Sequence, residues 1–135
     1  MLPSGLPDIV ADEEDLARFL TSSNQFNAQM AKPAVFLPSP RDRETSVFRH
    51  GSEPRDALWA IFAQDVMRTR TLHGAAIVKV RDVKSAQLEV IAAEPPPRHA
   101  AIMGWPWLDN DPELQKAQQK ERAALVASKA MLLLR

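Results

Sequence analysis

Apolar and charged side chains alternate at helical spacing between residues 53 and 70, and this is the clearest pattern in the chain. Ser52 is a suitable N-cap residue, and Pro54 is tolerated in the first turn of a helix. Trp59 and Phe62 lie three residues apart, so both rings are expected to fill a hydrophobic core rather than to form a ligand platform. The pattern predicts a helix over 53–70.

The beginning of the sequence is acidic. Residues 1–30 hold five acidic residues against one arginine, and the rest of the chain balances this charge. Four of the acids directly precede Leu16, Phe19 and Leu20, whose i, i+3, i+4 spacing places them on one face of a helix. Acidic side chains stabilise a helix N-terminus, so we predict a short helix over 12–21. The alternative is a partly extended tail that folds back on a basic face or docks on a partner.

A long helix is predicted near the C-terminal end. Asp111 is a suitable N-cap residue, and Pro112 fits the first helical position. Leucines and alanines then form an irregular apolar stripe, in which the small side chains favour close packing. These features predict a helix over 111–133.

Short runs of β-favouring residues predict the strands. Two runs, 34–37 and 46–49, are separated by a polar, proline-containing connector, which predicts a hairpin with an eight-residue loop. Two more runs, 76–80 and 88–92, flank a polar helical turn at 81–86. We therefore predict an α+β fold: a small mixed or antiparallel sheet of about four short strands, with a central helix and a long C-terminal helix on one face.

Length and composition limit the possible functions. A chain of 135 residues with 45% apolar content fits a single domain over 1–135. Its formal net charge of zero gives no overall attraction to nucleic acid or to an anionic membrane. No apolar run approaches the roughly 18 residues that span a bilayer, and no secretory signal is visible. We therefore expect a cytoplasmic protein that does not associate with membranes.

The common catalytic and cofactor sites lack their sequence motifs. The absence of cysteine excludes a disulfide, a thiolate zinc site and a cysteine nucleophile. The three histidines, His50, His73 and His99, lack metal-ligand spacing. There is no glycine-rich phosphate loop and no G-x-S-x-G nucleophile elbow. We therefore predict no metal, no cofactor and no catalytic residue marked by a motif.

The most distinctive stretch is 94–110, which begins with a triple proline. The prolines favour a stiff, extended chain that presents Arg98 and His99. These two residues suit either a site for a phosphate or carboxylate, or hydrogen bonds that hold the loop down. Trp105 and Trp107 either anchor a protein interface or cover the sheet, and we expect one ring to be buried and the other to lie at the surface.

The middle of the chain is locally rich in arginine. If several of these side chains shared a face, a nucleic-acid backbone or an acidic partner would bind there. Interleaved acidic residues favour an ordinary solvated surface instead. The arginines are Arg41, Arg43, Arg49, Arg68, Arg70, Arg81 and Arg98.

Three segments together resemble a group of small, uncharacterised bacterial proteins. They are 36–39 (FLPS), 46–49 (SVFR) and 96–106 (PPRHAAIMGWP). In that group a similar strand pair, central helix and loop occur in the same order, and the likeness covers roughly residues 12–134. The group has no established activity, so the resemblance implies a bacterial cytoplasmic setting and no mechanism.

We derive three hypotheses about function, and the missing catalytic motifs favour the first. It is a non-catalytic binding or accessory protein that engages a larger protein or complex through the loop at 98–107. The second is an enzyme on a phosphate- or nucleotide-containing substrate, with His99 as acid or base and Arg98 as anion clamp. The third is a nucleic-acid-binding accessory protein. The binding residues of the first hypothesis are Arg49, Arg98, His99, Trp105 and Trp107.

Overall fold

The computed structural model describes residues 2–50, 53–65 and 71–135. They form six β-strands, three α-helices and two short 3₁₀ helices, Ser23–Gln25 and Pro33–Phe36. The strands are β1 (Asp15–Leu20), β2 (Thr45–Arg49), β3 (Gly74–Lys79), β4 (Glu89–Ala92), β5 (His99–Met103) and β6 (Met131–Leu134). The helices are α1 (Arg55–Asp65), α2 (Val80–Ser85) and α3 (Pro112–Lys129).

All six strands belong to one antiparallel sheet with the order β4-β5-β2-β1-β3-β6. The α+β class is confirmed, and of the two predicted sheet types the antiparallel one is correct. The predicted strand number is too small, because the sequence pattern misses β1, β5 and β6. β4 and β6 form the two edges of the sheet, and β5 lies inside it between β4 and β2.

The helix predicted over 12–21 is wrong, because this segment contains β1, which pairs with both β2 and β3. Leu16 and Leu20 pack into the core on one side of the sheet, whereas Ala17 and Phe19 pack on the other. A strand that is buried on both faces carries apolar residues at most positions, so its pattern also satisfies helical spacing.

The acidic residues at 12–15 contact basic side chains elsewhere in the fold. Each of the four carboxylates pairs with a different base from α2, the end of β3 or the end of β2. These contacts hold the segment before β1 against the rest of the fold. The pairs are Asp12–Lys84, Glu13–Arg81, Glu14–Arg49 and Asp15–Lys79.

The strand predicted at 34–37 is a 3₁₀ helix, Pro33–Phe36, so the predicted hairpin with 46–49 does not form. A proline suits the beginning of such a helix, because the N–H that it lacks has no partner there. Val35 and Phe36 are buried in the same core as residues of α3. An apolar run of this length fits a strand or a buried helical turn equally well. The predicted strand at 46–49 is confirmed as β2.

The later part of the chain is predicted more accurately. The two strands and the helical turn expected between 76 and 92 are confirmed as β3, β4 and α2, with ends shifted by one or two residues. The long C-terminal helix is also confirmed, but it ends at Lys129 rather than at 133. Ala130 has an extended conformation and leads into β6.

Hydrophobic cores lie on both faces of the sheet, not on one as predicted. Residues of α2, α3 and the 3₁₀ helix Pro33–Phe36 pack on one face, and residues of α1 pack on the other. In the α1 layer, the ring centroids of Phe62 and Phe19 lie 5.3 Å apart in an edge-to-face arrangement. Phe62 fills the core as expected, whereas Trp59 is only partly buried and packs against the same cluster.

The helix predicted over 53–70 is confirmed over Arg55–Asp65, whereas Ser52 and the end of that prediction lie outside the described residues. Across the part of the chain that the structure describes, no helix is both long enough and apolar enough to cross a membrane.

Candidate binding surface

The stretch at 98–107 is divided by β5 and is not one continuous loop. Arg98 and His99 lie where β5 begins, and Trp105 and Trp107 follow its end. A strand of this length separates its two ends by roughly 13 Å. The predicted binding residues therefore form two groups, and Arg49 at the end of β2 belongs to the first.

Arg49 is fully buried. Its Nε and Nη2 atoms each donate to one carboxylate oxygen of Glu14 at 2.8 Å, and Nη1 donates to the Pro7 carbonyl at 2.7 Å. Burial raises the pKa of Glu14, but the hydrogen bonds from Arg49 and from the Ala11 amide, together with the charge of Arg49, outweigh it and hold the pKa below its ordinary value. Arg49 thus fixes the N-terminal segment to the sheet and presents no surface to a partner.

Arg98 lies beside Arg49, in the turn between β4 and β5. Its φ of 67° is in the left-handed region, which residues other than glycine rarely adopt. Nη2 donates to Glu53 Oε1 at 2.8 Å, and Nη1 donates to the Arg49 carbonyl at 3.3 Å. The guanidinium is therefore engaged by protein atoms that hold this turn in place.

His99 uses both ring nitrogens for contacts within the protein. Nδ1 donates to the Ala93 carbonyl at 2.8 Å, and because a carbonyl oxygen only accepts, Nδ1 carries a proton. Nε2 forms a hydrogen bond with the Ser46 hydroxyl at 2.9 Å. The ring also packs edge-on against Phe48, with 5.4 Å between centroids. His99 therefore links β5 to β2 and to the residue that follows β4.

The two tryptophans differ in exposure, as predicted. Trp105 is 7% exposed, and its indole N–H donates to the Ile102 carbonyl at 3.2 Å. Gly104 turns the chain ahead of it with a φ of 85°, a conformation that suits glycine. Trp107 is partly exposed, and the guanidinium carbon of Arg43 lies 4.6 Å from its ring centroid. This is the geometry of a cation–π contact, and it lies at the surface.

Helix α3 fixes the segment that carries Trp107. The Gln119 side-chain amide donates to the Pro106 carbonyl at 2.8 Å, and the Leu108 amide donates to Gln115 Oε1 at 2.6 Å. These bonds hold the residues on both sides of Trp107 to successive turns of one helix. The backbone on either side of the indole is therefore held in place by contacts within the protein.

An apolar groove of about 330 Å³ lies between the 3₁₀ helix Pro33–Phe36 and α3. Alanines on the α3 side leave space that larger side chains would fill. Leu37 in its lining leads directly into the loop at 38–44, which carries Arg43. We call Trp107, Arg43 and this groove the Trp107 surface. The groove is lined by Pro33, Ala34, Leu37, Lys120, Ala123 and Ala124.

The groove is the part of the surface that the sequence pattern misses, because it depends on the 3₁₀ helix at a place where a strand is predicted. Two signals in the sequence point to it. Pro33 suits a helix start, and Ala123 and Ala124 shorten the side chains on the facing part of α3.

No metal centre is evident in the described residues, where no three or more His, Asp or Glu side chains are placed to hold an ion. Comparison with known proteins adds no relative. No protein-family model matches the chain, and neither curated proteins nor solved structures gave a match. The resemblance to small bacterial proteins therefore stays a prediction.

Proposed function

We propose that this protein is a non-catalytic binding protein that engages a larger protein partner through the Trp107 surface. The observation that carries the proposal is the partly exposed indole of Trp107, which Arg43 and α3 hold at the surface. Tryptophan and arginine are enriched among the residues that dominate binding energy in protein interfaces. The groove lies on α3, the same helix whose Gln119 holds Pro106, and it offers room for an apolar side chain of the partner.

The charges of the Trp107 surface suggest the chemistry of the partner segment. Lys120 lines the groove, and Arg43 covers one face of the indole. Both are basic, whereas the remainder of the groove lining is apolar. We therefore expect the partner to present an apolar side chain next to a carboxylate, so that the first fills the groove and the second meets Lys120 or Arg43.

The test introduces a single thiol, since the chain has no cysteine of its own. Ala124→Cys places the thiol in the groove, and Leu114→Cys is the matched control at an exposed position of the same helix outside it. A photoactivatable cross-linker is attached to the single thiol of each variant, and the labelled protein is irradiated in an extract of cells of the organism that produces it.

We expect Ala124→Cys to form a cross-linked adduct of one mass that recurs in repeated experiments. Leu114→Cys should not form an adduct of that mass. The adduct should disappear when Trp107→Ala is added, because the indole anchors the same partner. Equal adducts from both positions, or no adduct from either, would overturn the proposal.

The enzymatic hypothesis has one supporting observation, the hydrogen bond between His99 Nε2 and the exposed Ser46 hydroxyl. It has less support than the binding function because the proposed anion clamp, Arg98, already pairs with Glu53. A thermal-shift panel of nucleotides and inorganic phosphate tests it. A rise in Tm that is abolished by Arg98→Ala would favour the enzyme over the binding protein.

The nucleic-acid hypothesis loses several of its arginines to contacts within the protein. Arg49 is buried, Arg81 pairs with Glu13, and Arg98 pairs with Glu53. Arg68 and Arg70 lie outside the described residues. A mobility shift that weakens steeply with added salt would be needed to support this hypothesis.

A further inference from the structure

The two edges of the sheet carry opposite charges around apolar strands. The apolar residues Met131–Leu134 form β6, with Lys129 before them and Arg135 after them. At the other edge, β4 begins with Glu89, whereas Glu94, two residues after its end, accepts hydrogen bonds from the amide and hydroxyl of Ser4. Neither strand contains a proline, a residue that commonly prevents an edge strand from pairing with another chain.

Large apolar side chains are exposed at both edges. On β6, Met131 is 60% exposed and Leu134 is 44% exposed, and on β4 Ile91 is 43% exposed. Burial of such side chains is favourable because it removes apolar area from water. The exposure therefore favours an additional strand at each edge.

Hydrogen bonds at the end of β6 show which of its backbone groups face outward. The Arg135 amide donates to the His73 carbonyl at 3.0 Å, in register with the pairing of β6 and β3. Hydrogen-bonded and non-hydrogen-bonded residues alternate along an antiparallel pair. The N–H and C=O groups of Leu132 and Leu134 therefore point away from β3.

The same alternation applies to β4. The Ala93 amide donates to the His99 carbonyl at 2.9 Å, in register with the pairing of β4 and β5. The outward-facing groups of this strand are therefore those of Val90 and Ala92. Each edge thus presents the backbone N–H and C=O groups of two residues, two positions apart, to which another strand can hydrogen-bond.

We infer that copies of this chain associate head to tail, with β6 of one copy pairing antiparallel with β4 of the next. The directions agree, because the six strands alternate and β4 and β6 therefore run in opposite directions. Each added copy continues the antiparallel order and keeps its helices on the same sides. The contact is heterologous, so it produces a ring or an open chain of copies rather than a closed dimer.

The register that joins the outward-facing groups also matches the side chains. When Leu134 pairs with Val90 of the next copy, Leu133 lies opposite Ile91 and Arg135 lies opposite Glu89. Oppositely charged residues that face each other across two strands stabilise the pair, and like charges destabilise it. This register therefore places the exposed Leu134 and Ile91 opposite apolar residues and Arg135 opposite Glu89.

The test is sedimentation velocity of the full chain over a wide concentration range at low salt. We expect the average mass of the wild type to rise with concentration. Glu89→Arg and Arg135→Glu each place like charges opposite each other, and we expect each to lower the association constant about fivefold or more. An equimolar mixture restores opposite charges at each contact between the two variants, so it should associate more strongly than either variant alone.

Leu134→Pro removes an outward N–H that takes no part in the pairing of β6 with β3. We expect this variant to keep the circular dichroism and Tm of the wild type and to remain monomeric. A wild type that stays monomeric throughout would overturn the inference. Association that is lost in Leu134→Pro but unchanged in Glu89→Arg would also overturn the inference. That result would indicate that β6 pairs with β6 of a second copy about a two-fold axis.

Discussion

At the scale of single residues, the contact between Arg49 and Glu14 ties the N-terminal segment to the sheet. The Arg49 side chain is 0% exposed, and that of Glu14 is 18% exposed. A buried charge that loses its partner is strongly destabilising, because neither water nor another ion replaces the lost contacts. This pair is therefore the ionic contact whose loss should affect stability most among those described.

Glu14→Gln should lower the free energy of unfolding by about 3 kcal/mol, since it leaves the Arg49 guanidinium buried without a counter-charge. Urea denaturation measures the loss. The matched control is Glu13→Gln, because Glu13 and its partner Arg81 are 68% and 55% exposed. An exposed pair contributes less than about 1 kcal/mol, so equal losses in the two variants would contradict the assignment.

The same carboxylate predicts a pH dependence of stability. The pKa of Glu14 is lowered in the folded protein, so the unfolded chain binds its proton more readily. The stabilisation is present above the ordinary carboxyl pKa and is lost as the pH falls through the lowered one. Urea unfolding should therefore show that the free energy of unfolding of the wild type falls between pH 7 and pH 3. The fall should be smaller in Glu14→Gln, and equal falls in the two proteins would refute the prediction.

The sequence indicates that Arg49 is a candidate functional residue but does not indicate its role. The residue type and its strand are predicted correctly, whereas its partner lies 35 residues earlier in the chain. No local pattern connects two such positions, and burial of a charged side chain is unusual enough to argue against expecting it. For Trp105 and Trp107 the expectation of one buried and one surface ring is correct, but which ring is buried depends on the end of β5.

At the scale of secondary-structure elements, the approach of β3 to β6 depends on Gly74. A Cβ atom at this position would lie 2.4 Å from the Leu133 carbonyl oxygen, which is backbone and cannot move independently. A glycine at this kind of position commonly ends a helix. In the structure it begins β3, and its missing side chain allows the edge strand to pair.

Gly74→Ala should therefore separate β6 from β3 and lower the stability by about 1–3 kcal/mol, the usual effect of overpacking. Hydrogen exchange provides the local measurement: the amides of Leu133 and Arg135, which face β3, should exchange faster than in the wild type. Amide exchange within β2 and β5 should become faster only to the extent that the lower free energy of global unfolding explains. Unchanged exchange at Leu133 and Arg135 would contradict this account.

The elements that are predicted correctly from the sequence each have a local sequence pattern that fits only one type of secondary structure. The amphipathic pattern of α1 and the Asp111 cap followed by Pro112 at the start of α3 are examples. β1 and the 3₁₀ helix Pro33–Phe36 are assigned wrongly, because the period of a short apolar run does not distinguish a strand from a helical turn. β5 is missed because prolines and tryptophans on either side of it indicate a loop.

At the scale of the whole molecule, β5 separates the predicted binding residues into two regions with different roles. At its beginning, Arg49, Arg98 and His99 make contacts that join the N-terminal segment, β2 and the β4–β5 turn. Beyond its end, Trp107 lies at the surface and is held by α3. The proposed partner site and the proposed edge contacts involve different residues, so each can fail in experiment without affecting the other.

The central claim is that Trp107 anchors a protein partner, and the affinity of the cross-linked partner, once purified, tests it most directly. We predict that Trp107→Ala weakens binding at least tenfold, whereas Leu114→Ala, a control on the exposed part of α3, binds as the wild type does. Equal affinities for the wild type and Trp107→Ala would contradict the claim.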